Sequence, residues 1–151
     1  MAIDAFLQAL AERVSPRAIV TDGERITPWL TDWRGRWTGR SAALLEPGST
    51  EEVAAIVALA GEHGVGLVPQ GGNTSMVGGA TPPEDGSALL LSLRRMNRIR
   101  TLEPGAAVAE AGVILADLHA AADESTQRFP LTLGARGSAT LGGLAATNAG
   151  G

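Results

Sequence analysis

Glycine limits most sharply what this chain can become. It supplies 20 of the 151 residues, and it crowds into two segments, Val68 to Pro82 (VPQGGNTSMVGGATP) and Pro130 to Gly151 (PLTLGARGSATLGGLAATNAGG). Lacking a Cβ, glycine adopts positive φ freely and lets backbone approach another group closely, so such runs can turn main-chain N–H groups toward one point. In the first segment Gly71, Gly72, Gly78 and Gly79 flank Asn73, Thr74 and Ser75, whose short side chains add donors. This reads as an anion cradle. Its spacing departs from the dinucleotide fingerprint and from the lysine-bearing P-loop. In the second segment Gly134, Gly137, Gly142 and Gly143 leave amides exposed at intervals. Ser138, Thr140, Thr147 and Asn148 are neutral hydrogen-bonding groups there, and Arg136 is the one charge. The leucines and alanines between these glycines are wrong for a solvated linker. A flat polar ligand would suit such a surface, although the two Gly-Gly pairs of the first segment are by themselves also what an ordinary tight-turn loop looks like.

Composition narrows the chemistry. All 12 basic residues are arginine, tyrosine and cysteine are absent, and histidine occurs only at His63 and His119. Schiff-base lysine chemistry, thiolate catalysis and cysteine-ligated metals are thereby excluded. A net charge of −4 with dispersed arginines argues against a nucleic-acid partner. No apolar run approaches the length of a membrane span and no leader-like start is visible, so a soluble, cytoplasmic protein is expected.

The remaining pattern is mixed α and β. Ile3, Phe6, Leu7, Leu10 and Val14 predict an amphipathic helix that Pro16 ends. Thr21 to Arg40 is irregular, with Trp29, Trp33 and Trp37 four residues apart. Ala42 to Leu45 reads as a strand. Ser49 with Glu52 forms a capping box for a helix whose apolar face is Val53, Ile56, Val57 and Ala60, and Gly64 ends it. Val65 to Val68 is expected as a buried strand that closes a βαβ unit with parallel pairing. Ala88 to Leu93 is a further strand. Ile99 to Leu102 and Ala107 to Ala111 form an antiparallel pair across Pro104-Gly105. Val113 to Ala122 is a helix with Ile114, Leu115, Leu118 and Ala121 on one face. The glycine-rich tail carries no closing helix or strand and suggests a chain that continues in its relatives.

In order along the chain, LTDWRGRWTGR (Leu30 to Arg40), PGSTEEV (Pro47 to Val53), PQGGNT, RRMNRI (Arg94 to Ile99) and the LGARGS, GG and ATNAGG elements of the tail resemble one family. It is the FAD-linked oxidases with the PCMH-type FAD-binding domain of the vanillyl-alcohol-oxidase superfamily. Within it the chain is most similar to the D-2-hydroxyglutarate dehydrogenases, the D-lactate dehydrogenases and the D component of glycolate oxidase. The resemblance implies an α+β, PCMH-type FAD-binding fold, truncated. Residues 1–40 would be a helical lead-in, 41–93 a first βαβ lobe, and 94–151 the beginning of a second α+β lobe, with FAD clasped by the two.

By the same resemblance the cofactor contacts would be Gln70, Gly71, Gly72, Asn73, Thr74, Ser75, Val77 and Gly78 in the first segment. In the second they would be Leu133, Gly134, Ser138, Gly142, Gly143 and Asn148. Members with covalent flavin carry a histidine in the first loop. Here Asn73, Thr74 and Ser75 stand instead, which implies noncovalent FAD. Ser75 replaces a commonly seen glycine, and Thr132 stands where this branch often has aspartate. Relatives continue into a substrate domain that supplies the groups acting on a D-2-hydroxy acid, so no catalytic residue is assigned here and this portion is not expected to turn over substrate alone. A C-terminal remainder or a partner subunit would complete it. The alternative is a non-catalytic α/β module that binds no flavin and self-associates as a homo-oligomer.

Other conspicuous residues have plainer readings. His63 suits the helix end before Gly64, and His119 and Asp117 are too close in sequence to share a helix face, so no metal site is expected. Glu51, Glu52 and Glu62 read as a capped, solvated helix surface. The three tryptophans read as packing against the lobe, and Arg94 to Arg100 as solvated arginines on a strand edge.

Overall fold

The computed structural model describes residues 2–150. Its contacts divide them into two compact units. One comprises the chain up to Gln70 together with Ser75–Leu93; the other comprises Gly71–Thr74 and the chain from Arg94 onward.

The first unit starts with helix α1, Ala2–Ala11, which buries Phe6 and Leu10 as the periodicity predicts. A short 3-10 turn leads into strand β1, Ile19–Val20, and helix α2, Gly23–Ile26, follows with Asp22 as its N-cap. Strand β2 is only Leu44–Leu45, shorter than expected. Helix α3, Thr50–His63, begins where the capping box places it. Ser49 Oγ accepts from Glu52 N at 3.3 Å, and Gly64 at φ +64 closes the C-terminus. The Glu52 carboxylate is not a solvated group, because it accepts from Ser15 N and Gly48 N, each at 2.7 Å.

Strands β3, Gly66–Gln70, and β4, Ala88–Ser92, complete a sheet in the order β1-β2-β4-β3. β4 pairs in parallel with both β2 and β3. The two strands flanking α3 therefore do not touch; the fully buried ALLLS strand separates them. This corrects the expectation of a buried strand before the first glycine segment. β3 is an edge strand and half exposed, since one flank has no ladder partner. The apolar face of α3 is likewise rotated. Ile56, Leu59 and Ala60 enter the core with Phe6, Leu10, Leu45 and Leu89, whereas Val57 is 52% exposed.

The second unit contains an antiparallel hairpin, β5 (Ile99–Glu103) and β6 (Ala106–Ala109), turned at Gly105 with φ +78. Helix α4, Leu115–Glu124, buries Leu115, Leu118 and Ala122. The tail is not a continuous loop. Leu141–Ala146 forms a short helix, α5, capped by Thr140, whose hydroxyl accepts from Gly143 N at 3.3 Å. Leucine and alanine favour the helix once the cap is in place, and a glycine in the first turn costs little there. An open groove of about 610 Å3, lined by residues of β5, β6, α4 and α5, includes Leu102, Leu118, Phe129, Leu141 and Leu144.

Candidate functional site

Gly71 and Gly72 owe their identity to close approach rather than to backbone hand. A Cβ on Gly72 would overlap the carbonyl of Ser138, and one on Gly71 would overlap the Thr140 hydroxyl. The opening of the first glycine segment therefore lies directly against residues 138–140 of the second, inside one unit. A side chain at either position would push the segments apart. Neither glycine has positive φ, and in this segment only Gly78 (φ +74) and Asn73 (φ +53) do. Asn148 adopts the same left-handed conformation at φ +48. Asparagine tolerates that region better than most residues, so two of the expected contacts hold the least common backbone of their segments.

The donors are distributed differently from expectation. In the tail, Leu141 N donates to Val113 O, Gly142 N to Ala111 O and Gly143 N to Thr140 Oγ1, so the first amides of α5 are spent internally. Gly142 is required there because a Cβ would stand 2.7 Å from the Ala111 Cβ. By contrast, the N–H groups of Gly72, Thr74, Gly78 and Gly79 have no hydrogen-bond partner among the described residues. The hydroxyls of Thr74 and Ser138 are equally unengaged there. Free N–H groups thus occur in both segments, since those of Leu133, Gly134 and Gly137 are likewise without a partner among the described residues. Leu133 and Gly134 sit in the turn before Ser138, where Arg136 N donates to Leu133 O at 3.2 Å.

Gln70 is buried and turned inward. Its Nε2 donates to Trp29 O at 3.0 Å and to Ala80 O at 2.8 Å, which ties together the two ends of the loop it precedes. Its Oε1 is buried without a partner among the described residues. Ser75 hydrogen-bonds Val77 N at 3.4 Å, while Val77 itself is strongly exposed.

Several roles were illegible in the sequence. Asp32 is buried, and its carboxylate accepts from the backbone N–H of Arg36 (2.6 Å), Trp37 (2.7 Å) and Arg34 (3.1 Å). The bond from Trp37 contributes most to holding its pKa below the ordinary carboxylate value. Trp33 and Trp37 belong to this turn, and Trp33 is 68% exposed rather than packed, whereas Trp29 ends a short 3-10 helix and packs against Val20, Ile26, Leu44 and Leu90 as expected. Glu110 is the second such group. Arg98 and Arg100 reach it with Nη2 at 2.8 and 3.0 Å, and Arg98 N donates to it at 2.9 Å. These bonds, the Arg98 side chain's first, lower its pKa from 4.5 to about 2. Arg98 and Arg100 are therefore paired with Glu110 while their side chains remain largely exposed, as expected of arginines at a strand edge. His119 Nε2 donates to Leu131 O at 2.8 Å, and no cluster of metal-ligating side chains occurs among the described residues.

The composition of the site fits FAD. Neither glycine segment contains an acidic residue, so nothing in them repels a pyrophosphate, and the available donors are neutral N–H and O–H groups. At Gly71 and Gly72 the close approach of Thr140 and Ser138 leaves no room for a side chain beside those donors.

The fold defines the class. Solved alkyldihydroxyacetonephosphate synthase superposes with a TM-score of 0.87 at 22% identity, covering 98% of this chain and 30% of that one. p-Cresol methylhydroxylase with bound substrate gives 0.68 at 18%, covering 87% and 26%. The architecture is the PCMH-type FAD-binding fold. A model of the FAD binding domain family matches residues 41–151, and the chain belongs to that family, whose cofactor is FAD. It is 42% identical over 145 residues to mitochondrial D-2-hydroxyglutarate dehydrogenase of Bos taurus, covering 95% of this chain and 26% of that protein. It is 37% identical over 130 residues to D-2-hydroxyglutarate–pyruvate transhydrogenase of Saccharomyces cerevisiae, covering 85% and 26%. The chain thus spans about a quarter of the length of these relatives. The bovine protein is named mitochondrial, which lends nothing to the expected cytoplasmic location. Among the described residues no helix is long and apolar enough to cross a membrane.

Proposed function

We propose that this chain is the cofactor-holding portion of an FAD-linked oxidoreductase that acts on a D-2-hydroxy acid, with the flavin as hydride acceptor and bound noncovalently. The observation that carries the reading is the seating of Gly71 and Gly72 on Ser138–Thr140, with free neutral donors and no carboxylate in either segment. Gly71, Gly72, Asn73 and Thr74, with Leu133, Gly134, Ser138, Gly142, Gly143 and Asn148, hold the cofactor in the second unit. Ser75, Val77 and Gly78 are further contacts carried by the first. Gln70 acts through its backbone and through the loop ends it ties together. Bound FAD supplies the hydride chemistry. The chain's own residues bind and orient it, and neither glycine segment offers a side chain to accept the substrate hydroxyl proton. The choice of a D-2-hydroxy acid rests on the names of the relatives. Asn73, Thr74 and Ser75 occupy the loop without a nucleophile suited to flavin attachment, which favours noncovalent binding.

Titration of the purified chain with FAD and, separately, with ADP tests this. Saturable quenching of flavin fluorescence, with release of the flavin on acid precipitation of the protein, is the expected result. Equal affinity for ADP alone would reduce the reading to a general diphosphate binder. Flavin that stays in the precipitate would overturn the noncovalent part.

A further inference from the structure

The family match starts at residue 41, yet the segment just before it is built onto the first glycine segment. Residues 30–39 form a small reverse turn. Asp32 N donates to Trp37 O and Gly39 N to Leu30 O, both at 2.9 Å, and Gly35 at φ +67 makes the reversal. The Asp32 carboxylate sits inside it and collects three backbone N–H groups. This fixes where the Trp37 side chain leaves the backbone. A Cβ on Gly78 would stand 3.0 Å from the indole Cε3, so the indole lies on the face that glycine leaves bare. Three more contacts tie the same segments together. Gly39 lies so close to Pro82 that a Cβ would overlap its carbonyl; Arg40 N donates to Pro83 O at 3.0 Å; and Gln70 Nε2 bridges Trp29 O and Ala80 O.

The geometry points to Asp32 and Trp37 as positioning residues of the flavin site: the turn nested on the Asp32 carboxylate seats the indole on Gly78 and so holds the limb from Val77 to Pro83 in its shape. This rests on the reading that the first glycine segment contacts FAD. The contacts of Gln70, Gly39 and Arg40 hold the Ala80–Pro83 end of the limb, whereas its Val77–Gly79 end meets the indole at Gly78, with Val77 81% exposed and the N–H groups of Gly78 and Gly79 free among the described residues. A loop that must present amides to an anion loses affinity when it samples other shapes. Asp32 acts at one remove, through the turn and the indole.

The test uses the whole chain and its Asp32→Asn, Trp37→Ala and Trp37→Phe variants. Amide exchange is followed at Thr81 N, which donates to Gly78 O at 3.0 Å, and across α3 and β4. Asp32→Asn and Trp37→Ala are expected to speed Thr81 exchange and to weaken FAD binding, each by roughly tenfold, while α3 and β4 keep their protection. Trp37→Phe, which keeps an aromatic face, is expected to retain both. Unchanged Thr81 exchange in both disruptive variants would overturn the assignment. So would an acceleration shared equally by α3 and β4, which would make the turn a general stabiliser. A wild-type chain that binds no FAD overturns the function proposed above, and the exchange comparison then still decides whether the turn braces the limb.

Discussion

A methyl group added at Gly72 would overlap the Ser138 carbonyl, whereas one added at Gly134 would meet nothing within 4 Å. Opposite outcomes are therefore expected for one substitution at two glycines that look alike in sequence. Gly72→Ala should destabilise the second unit by about 1–3 kcal/mol, as overpacking against backbone does. Gly134→Ala should stay within about 0.5 kcal/mol of the parent. Urea denaturation of the two variants checks this; equal stabilities would contradict the close approach. Glu110 sets a second residue-scale expectation. Its pKa is depressed from 4.5 to about 2 by Arg98 and Arg100, so its contribution is complete above 4.5 and disappears as the pH falls toward 2. Asp32 and Asp85 are also lowered and titrate in the same direction. The informative quantity is thus the difference between profiles. Glu110→Gln should flatten the acid loss of hairpin protection over that range, and a profile identical to the parent's would show that the ion pairs do not hold β5 to β6.

The elements differ in how far the sequence disclosed them. α3 was legible at both ends because each end has a chemical signature, Ser49 with Glu52 at the start and Gly64 at the close. Ser49→Ala is accordingly expected to cost about 1 kcal/mol, measured by thermal or urea unfolding of the first unit, and a silent substitution would contradict the cap. The β5–β6 hairpin was equally clear from Pro104-Gly105 between apolar runs. What escaped was whatever depended on distant partners. Whether β2 and β3 pair depends on where β4 inserts, and neither strand's own residues record that. α5 hid inside a glycine-rich run because Gly142 and Gly143 lower helix propensity. They serve the helix by letting it approach Ala111 and by donating to Thr140. The four-residue spacing of the tryptophans gave no hint that a buried carboxylate organises Arg34 to Trp37 as a turn.

For the whole molecule, the chemical character of the candidate site was readable while its geometry was not. The absence of acids and lysines from the glycine segments, with their neutral donors, already pointed to a site where uncharged donors meet an anion. That Gly71 and Gly72 rest on residues 138–140, and that the α5 amides are already engaged, emerged only from the folded chain. The central claim is that these abutting segments hold FAD. Mapping amide chemical shifts of the 151-residue chain during FAD titration tests it most directly. Saturable shifts concentrated at Gly71–Thr74, Gly78–Gly79 and Leu133–Gly143 are the predicted result. Shifts centred instead on the groove around Leu102, Phe129 and Leu144, or no saturable shifts at all, would contradict it.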